Sequence, residues 1–289
     1  MIVGTGRSLK YLGLGLLIFL NLVDVGSCLG TPDDYLALGD EALGADQHEK
    51  AIEFYNKGLS SLTEDESLLT VLSLHTNLGS ALSTMGENDD AAENYQRAIS
   101  VYLSDLEKIA DKETKQFATD ITSQASFFLG MVYQDLKDPQ KATDAYGYAV
   151  VLDPNHWGAL ANLGSVLHDD LRLHDDALQA YNKAYSILTE PNIDPTDPPA
   201  EPRFILSQLQ YRIGLCLAHD PNRKCALEDN PDTPVSCKEM AAHAFSLAVQ
   251  YDPDNESAKH MLATTTADAT MTRASNTYIR DLFQDYAKK

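Results

Sequence analysis

The sequence predicts an all-α protein, a solenoid of helical hairpins stacked side by side, with no sheet. Two observations predict it. The stretch Gln124–Asn155 carries two apolar stripes at helical period, Phe127/Leu129–Gly130/Tyr133 and Ala142/Tyr146/Ala149, split by the breaker run Lys137-Asp138-Pro139. A further Leu-Gly pair, Leu163-Gly164, follows Leu129-Gly130 after 34 residues, the repeat distance of a stacked two-helix unit.

Residue sizes inside this stretch fit a hairpin. Gly130 and Ala142 are small where two helices cross, and Tyr146 is large enough to fill the space between neighbouring hairpins. Asp153-Pro154-Asn155 stops the second helix, because proline lacks the N–H and biases its predecessor out of the helical region. These residues resemble a tetratricopeptide repeat. The resemblance implies a right-handed superhelix of about five such hairpins over residues 33–263, a TPR-type α-α superhelix whose first helices line a concave groove.

Composition sets outer bounds. An apolar content of 44% supports a sizeable core and excludes disorder of the whole chain. The 43 acidic against 22 basic side chains give a net charge of −21, which repels a phosphate backbone. Nucleic acid is therefore not an expected partner, and proteins or peptides that are neutral or basic are.

Taken in order, residues 1–30 stand apart from the repeats. Arg7 and Lys10 precede the apolar run Tyr11–Val23, and small residues follow around Val25-Gly26-Ser27. This is the layout of a secretory signal peptide, too short for a span of about 20 residues. It places the chain in the secretory pathway, secreted or lumenal, with no membrane span after its removal. Two alternatives stand beside it: an uncleaved signal that anchors the chain in a membrane, and a lipoprotein-like box ending at Cys28, against which Asp24 counts.

The first repeat follows with Leu38-Gly39, Ala51, Tyr55 and Gly58, and the second with Leu78-Gly79, Ala91, Tyr95 and Ala98. A longer loop around Thr63–Glu66 separates them, and Gly86 marks a turn that needs a positive φ. Between Ile99 and Ser123 there is no Pro or Gly, so the second helix of this repeat and the first of the next are lengthened. The fourth repeat runs Leu163-Gly164, Ala177, Tyr181, Ala184. Its Gly-to-Ala interval is 13 where the first three have 12, and the extra residue is expected in the turn His168–Asp176.

Residues 190–202 hold five prolines and predict an extended linker. A fifth repeat resumes at Ile213-Gly214 and continues with Ala241, Phe245 and Ala248 after an insertion over residues 219–236. Glu256–Ala263 is expected as a short capping helix. Residues 264–289 then divide into a Thr-rich polar link and an amphipathic terminal helix.

Few residues carry candidate chemistry. The chain has no nucleophile elbow, P-loop, G-x-G-x-x-G or H-E-x-x-H, so catalysis has no residue to rest on and neither an enzyme nor a cofactor is expected. Cys216 sits on a helix and reads as a buried packing residue. Cys225 and Cys237 flank the insertion and form either a loop-closing disulfide or two free thiols. His168-Asp169-Asp170 and His174-Asp175-Asp176 contain metal-ligand types, yet at an interhelical turn they read as solvated and capping residues, and no metal is expected. Asn255-Glu256-Ser257 is an N-glycosylation sequon.

What remains is the groove. Counted back from each repeat's Gly, Asn77, Phe128, Asn162 and Arg212 stand two residues before it, and Phe127 and Tyr211 three before. Repeats that clamp carboxylate tails of chaperones use Lys and Asn here, and the basic positions are missing. The runs TNLGSAL and ANLGSVL look like repeats of the O-GlcNAc transferase superhelix, which implies that Asn77 and Asn162 hold an extended peptide backbone; the alternative is a solvated helix face.

Near the end, Tyr278, Ile279, Leu282, Phe283, Tyr286 and Ala287 resemble the junction of TPR-methyltransferase fusions, where a short helix opens the S-adenosylmethionine-dependent domain. That likeness implies, as a second reading, the regulatory TPR half of a truncated methyltransferase, although no cofactor fold is encoded before Lys289. The bland alternative is a docking helix packed on the last hairpin.

Overall fold

The structure is a computed structural model that describes residues 30–189, 200–219, 224–227 and 230–266. The leader up to Leu29, most of the Pro-rich linker and the terminal helix with Tyr278, Ile279, Leu282, Phe283 and Tyr286 lie outside the described residues. The chain divides into two compact units, meeting in sequence between Pro154 and Asn155.

The first unit holds three helical hairpins. They are α1 (Pro32–Gly44) with α2 (His48–Ser60), α3 (Leu68–Met85) with α4 (Asn88–Asp105), and α5 (Lys112–Asp135) with α6 (Pro139–Leu152). Local chemistry fixes several starts. Thr31 and Asp34 form a reciprocal capping box around Pro32 at the first helical position, and Asp111 and Asp138 accept backbone N–H groups at the heads of α5 and α6. The long stretch without Pro or Gly is indeed spent on length, for α5 has 24 residues.

The second unit begins with α7 (Trp157–Ser165), which runs into a π-helical turn, Val166–Asp170, and then α8 (His174–Thr189). α9 (Ala200–Ala218) and α10 (Cys237–Tyr251) form the fifth hairpin, and α11 (Glu256–Thr266) packs on both. Between α9 and α10 the insertion forms an antiparallel pair, β1 (Lys224–Leu227) and β2 (Asn230–Ser236), with Lys224 opposite Ser236. The expectation of no sheet is corrected there: the fold is all-α, but the inserted loop closes on itself as a two-stranded hairpin.

One packing device repeats through both units. The ring of Tyr55, Tyr95, Tyr146, Tyr181 or Phe245 on a second helix lies against the glycine of its first helix, Gly39, Gly79, Gly130, Gly164 or Gly214. A methyl group at Gly130 would stand 2.5 Å from the Tyr146 ring, and one at Gly214 2.5 Å from Phe245. Glycine is needed for this approach, and the five rings are the largest fully buried side chains of the core.

A second device shapes the turns. Asp46, Gly86, Lys137 and Arg172 all have φ between 57° and 82°. Three lie seven residues after their repeat's glycine; Arg172 lies eight after. The next N–H folds back on the helix end, as in Gln47 to Ala42 O, Glu87 to Leu82 O and Asp138 to Tyr133 O, each 2.9 or 3.0 Å. The surplus residue of the fourth repeat is absorbed by the π-helical turn, where Leu171 N donates to Val166 O at 3.1 Å.

Two boundaries differ from expectation. α9 starts at Ala200 and takes Pro202 into its first turn, where a missing N–H leaves no bond unmade. α11 continues through Thr264–Thr266, expected as a loose link, and there each hydroxyl donates back to its own helix: Thr264 to His260 O, Thr265 to Met261 O and Thr266 to Leu262 O.

Candidate functional site

The first helices of the first unit form a row, with α3 packed between α1 and α5. This follows from the repeat: each second helix fills the layer behind, its ring against the glycine of the first. Positions on the far side of each first helix from that glycine are left toward solvent. Asn77 on α3 and Phe128 on α5 occupy equivalent positions there, both half-buried, with Ala37 of α1 exposed.

Asn77 is already tied into the row. Its Nδ2 donates to Asp40 Oδ1 at 2.8 Å, and the Tyr55 hydroxyl donates to the same oxygen at 2.8 Å. Withdrawal from water raises the Asp40 pKa above the ordinary carboxylate value, against the lowering effect of the hydrogen bonds from Tyr55 and Asn77. Burial, with Asp40 beside it, raises the Tyr55 hydroxyl as well. Phe128 supplies the apolar part, its ring 5.9 Å from Tyr95 and 5.6 Å from Phe127.

The groove residues expected from the sequence divide three ways. Phe127 is only 7% exposed and packs 5.9 Å from the Tyr146 ring, so it belongs to the core. The reason is geometric: three residues before the glycine is nearly one helical turn, which returns to the glycine's own side. Asn162 is 1% exposed in α7, a helix buried along most of its length, and does not line a groove. In the second unit Tyr211 and Arg212 are half-buried; the Tyr211 ring lies 6.0 Å from Phe245, and Arg212 Nη1 is committed to Asp169 Oδ2 at 2.6 Å.

The cysteines and the sequon also find places. Cys216 is buried and free, and Cys237, at the head of α10, is disulfide-bonded. The side chain of Cys225, its expected partner, lies outside the described residues. Asn255 is 8% exposed, and both ends of its amide are engaged: Nδ2 donates to Ser207 Oγ at 3.0 Å, and Oδ1 accepts from Ala258 N at 2.9 Å. It caps α11 and links that helix to α9, so in the folded chain it does not present its nitrogen for a glycan.

A cluster that sequence reasoning set aside is drawn together in the second unit. His168, on the π-helical turn, is not a solvated turn residue; its side chain is 12% exposed. Its Nδ1 stands 3.0 Å from His174 Nδ1 and 3.3 Å from Cys216 Sγ, and the His174 ring stacks on His219 with centroids 3.7 Å apart. Burial lowers the pKa of His168, with Asp169 opposing and His174 adding to the shift. Burial also lowers His174, with His219 and Arg172 adding to it, and pushes the Cys216 thiol up to about 12. Among the described residues no three His, Cys, Asp or Glu side chains are arranged to hold a metal ion. The signal present in the sequence was the surplus residue of the fourth repeat; Cys216 on α9 and His219 just past its end come from more than forty residues away.

With this geometry in hand, residues 72–105 and residues 128–198 each match a family model described as tetratricopeptide repeat. The chain carries tetratricopeptide repeats. Among solved structures it is similar to the apo form of RapI (TM-score 0.62, 14% identity, 89% of this chain and 64% of that one). It is also similar to YrrB, titled a TPR protein with an unusual peptide-binding site (TM-score 0.53, 17% identity, 78% of this chain and 89% of that one). A tetratricopeptide repeat protein from Parabacteroides merdae is comparable (TM-score 0.53, 14% identity, 89% and 79%). At these identities the likeness is one of fold. No curated protein matches the sequence. No helix among the described residues is long and apolar enough to cross a membrane.

Proposed function

We propose that this TPR chain is a non-catalytic interaction module that holds an extended, neutral or basic segment of a partner protein against the first helices of its first unit. The observation that carries the reading is the row of α1, α3 and α5, with Asp40, Asn77 and Phe128 along it. Each supplies a different element of recognition. The Asn77 amide is of the type that reads a peptide bond without regard to sequence, Phe128 offers an apolar contact, and Asp40 adds to the net charge of −21 that favours a basic ligand. YrrB is one protein of this fold with a peptide-binding site, and the reading extends that use to this chain.

Selection from a displayed peptide library tests it. Neutral or basic peptides should bind the wild type, and the double variant Asn77→Ala/Phe128→Ala should weaken them by about tenfold or more, roughly 1.4 kcal/mol, with unchanged circular dichroism. Selected peptides that bind the double variant equally well would place the site elsewhere.

We further propose a secretory route, supported by Arg7, Lys10 and the apolar run Tyr11–Val23, and by the disulfide at Cys237. Expression of the full chain in a secreting host and N-terminal sequencing should find a new terminus near Gly30; Met1 retained on a membrane-bound product would favour the anchor instead.

A further inference from the structure

Within the second unit, His168, Arg172, His174, Leu215, Ala218, His219 and Met261 line a cavity of about 600 Å³. Its walls are of two kinds. His168, Arg172, His174 and His219 contribute nitrogen donors, whereas Leu215, Ala218 and Met261 form an apolar side. In a chain of net charge −21 this is an unusual concentration of potential cations.

The surrounding charges sharpen the picture. Asp169 on the π-helical turn is committed to Arg212 of α9 at 2.6 Å. Arg172, just past that turn, makes no ion pair among the described residues. The other titratable groups facing the imidazoles are Asp175 at the head of α8 and Cys216 on α9, whose thiol is held protonated by burial. Arg172 therefore lines the cavity with its charge unneutralised, beside three imidazoles that gain charge by taking up protons.

We propose that this cavity binds the carboxylate of an amphipathic organic acid, its oxyanion against Arg172 and the imidazoles of His174 and His219, its apolar body along Leu215, Ala218 and Met261. The extra residue of the fourth repeat builds the site. The π-helical turn carries His168, which meets Cys216 of α9, and Arg172 follows in the left-handed conformation shared by the other repeat turns. The site stands at the helix ends, not on the first-helix face, and is independent of the peptide reading.

The bound anion favours the charged imidazolium, so binding takes up protons and strengthens as pH falls. The sign follows from the apo state, in which His168 and His174 are held below the ordinary histidine value. An anion at their side raises them back.

Isothermal titration of the full chain with hexanoate, hexan-1-ol and inorganic phosphate tests the proposal. Hexanoate should bind about three- to fivefold more tightly near pH 6 than near pH 8, the part of about one pKa unit at one imidazole that is expressed in that window, and more tightly than either hexan-1-ol or phosphate. Arg172→Asn, chosen because asparagine tolerates positive φ, should lose about tenfold in hexanoate affinity. In the wild type, NMR titration should show His168 and His174 moving up in pKa on hexanoate addition while His75, in the other unit, stays put. This readout stands even if the variant fails to fold. Absence of hexanoate binding, equal binding of the alcohol or of phosphate, or movement of His75 in step would overturn the proposal. So would Zn²⁺ displacing hexanoate and shifting the same resonances, which would reassign the cluster to a metal.

Discussion

Gly130 and Gly147 show how one residue type serves two ends in adjacent helices. At Gly130 the Tyr146 ring occupies the space of a side chain, whereas nothing lies within 4 Å of a methyl group built on Gly147. Gly130→Ala should therefore destabilise the protein by about 1–3 kcal/mol through overpacking, and Gly147→Ala should stabilise it by roughly 0.5–1 kcal/mol through helix propensity. Urea unfolding followed by circular dichroism reads both; equal effects would deny the ring-on-glycine device. The spacing was legible in the sequence, since glycine and aromatic stand 16 residues apart in the first three repeats and 17 apart in the fourth; that the ring lies on the glycine of its own hairpin was not, since Tyr146 was expected between neighbouring hairpins. The left-handed turn residues were legible only at Gly86, where the residue type announces the conformation. Asp46, Lys137 and Arg172 do the same work with side chains that announce nothing, and only their offset from the glycine betrays them. Phe127 was misplaced because its offset returns it to the glycine's own side of the helix, and Asn162, at the same offset as Asn77 and Phe128, because α7 is buried along most of its length.

At the scale of elements, the sequence showed where length changes but not what shape the change takes. The insertion became a β-hairpin that closes on itself, and the surplus residue before Ala177 became a π-helical turn whose side chains meet partners outside their own segment. His168 illustrates this: its contact with Cys216 spans 48 positions. A stability consequence follows. The folded pKa values of His168 and His174 are depressed, so their neutral forms are favoured in the fold and the associated stability is present above the ordinary histidine value. It is lost as pH falls through that value toward the depressed ones. Asp40 acts in the opposite sense: its raised pKa makes the folded carboxylate costly near neutrality, a cost relieved as pH falls through the raised value. Thermal melting between about pH 8 and pH 5 should therefore show a decline that is smaller in His168→Gln/His174→Gln than in the wild type, since glutamine does not titrate in that range. Parallel declines would mean that the cluster does not titrate on folding.

At the scale of the whole molecule, the two units have different characters. The first has three regular hairpins and a row of first helices with polar and aromatic side chains at its solvent edge. The second departs from the repeat at nearly every joint, through the π-helical turn, the Pro-rich stretch, the β-hairpin and the capping helix. Regularity suits a surface that follows an extended chain, because successive repeats offer equivalent positions. Irregularity gathers unlike side chains into one cavity. Charge applies to the molecule as a whole, and on the proposed reading the net charge of −21 would favour a neutral or basic segment. On the proposed function, such a segment lies on the first helices of the first unit. Replacing Phe128 by a photoactivatable phenylalanine, with Glu53 on the exposed side of α2 as the control position, and mapping cross-links to a selected peptide tests it most directly. Adducts are expected from position 128 and none from position 53; adducts from position 53 alone, or from neither, would contradict the proposed site.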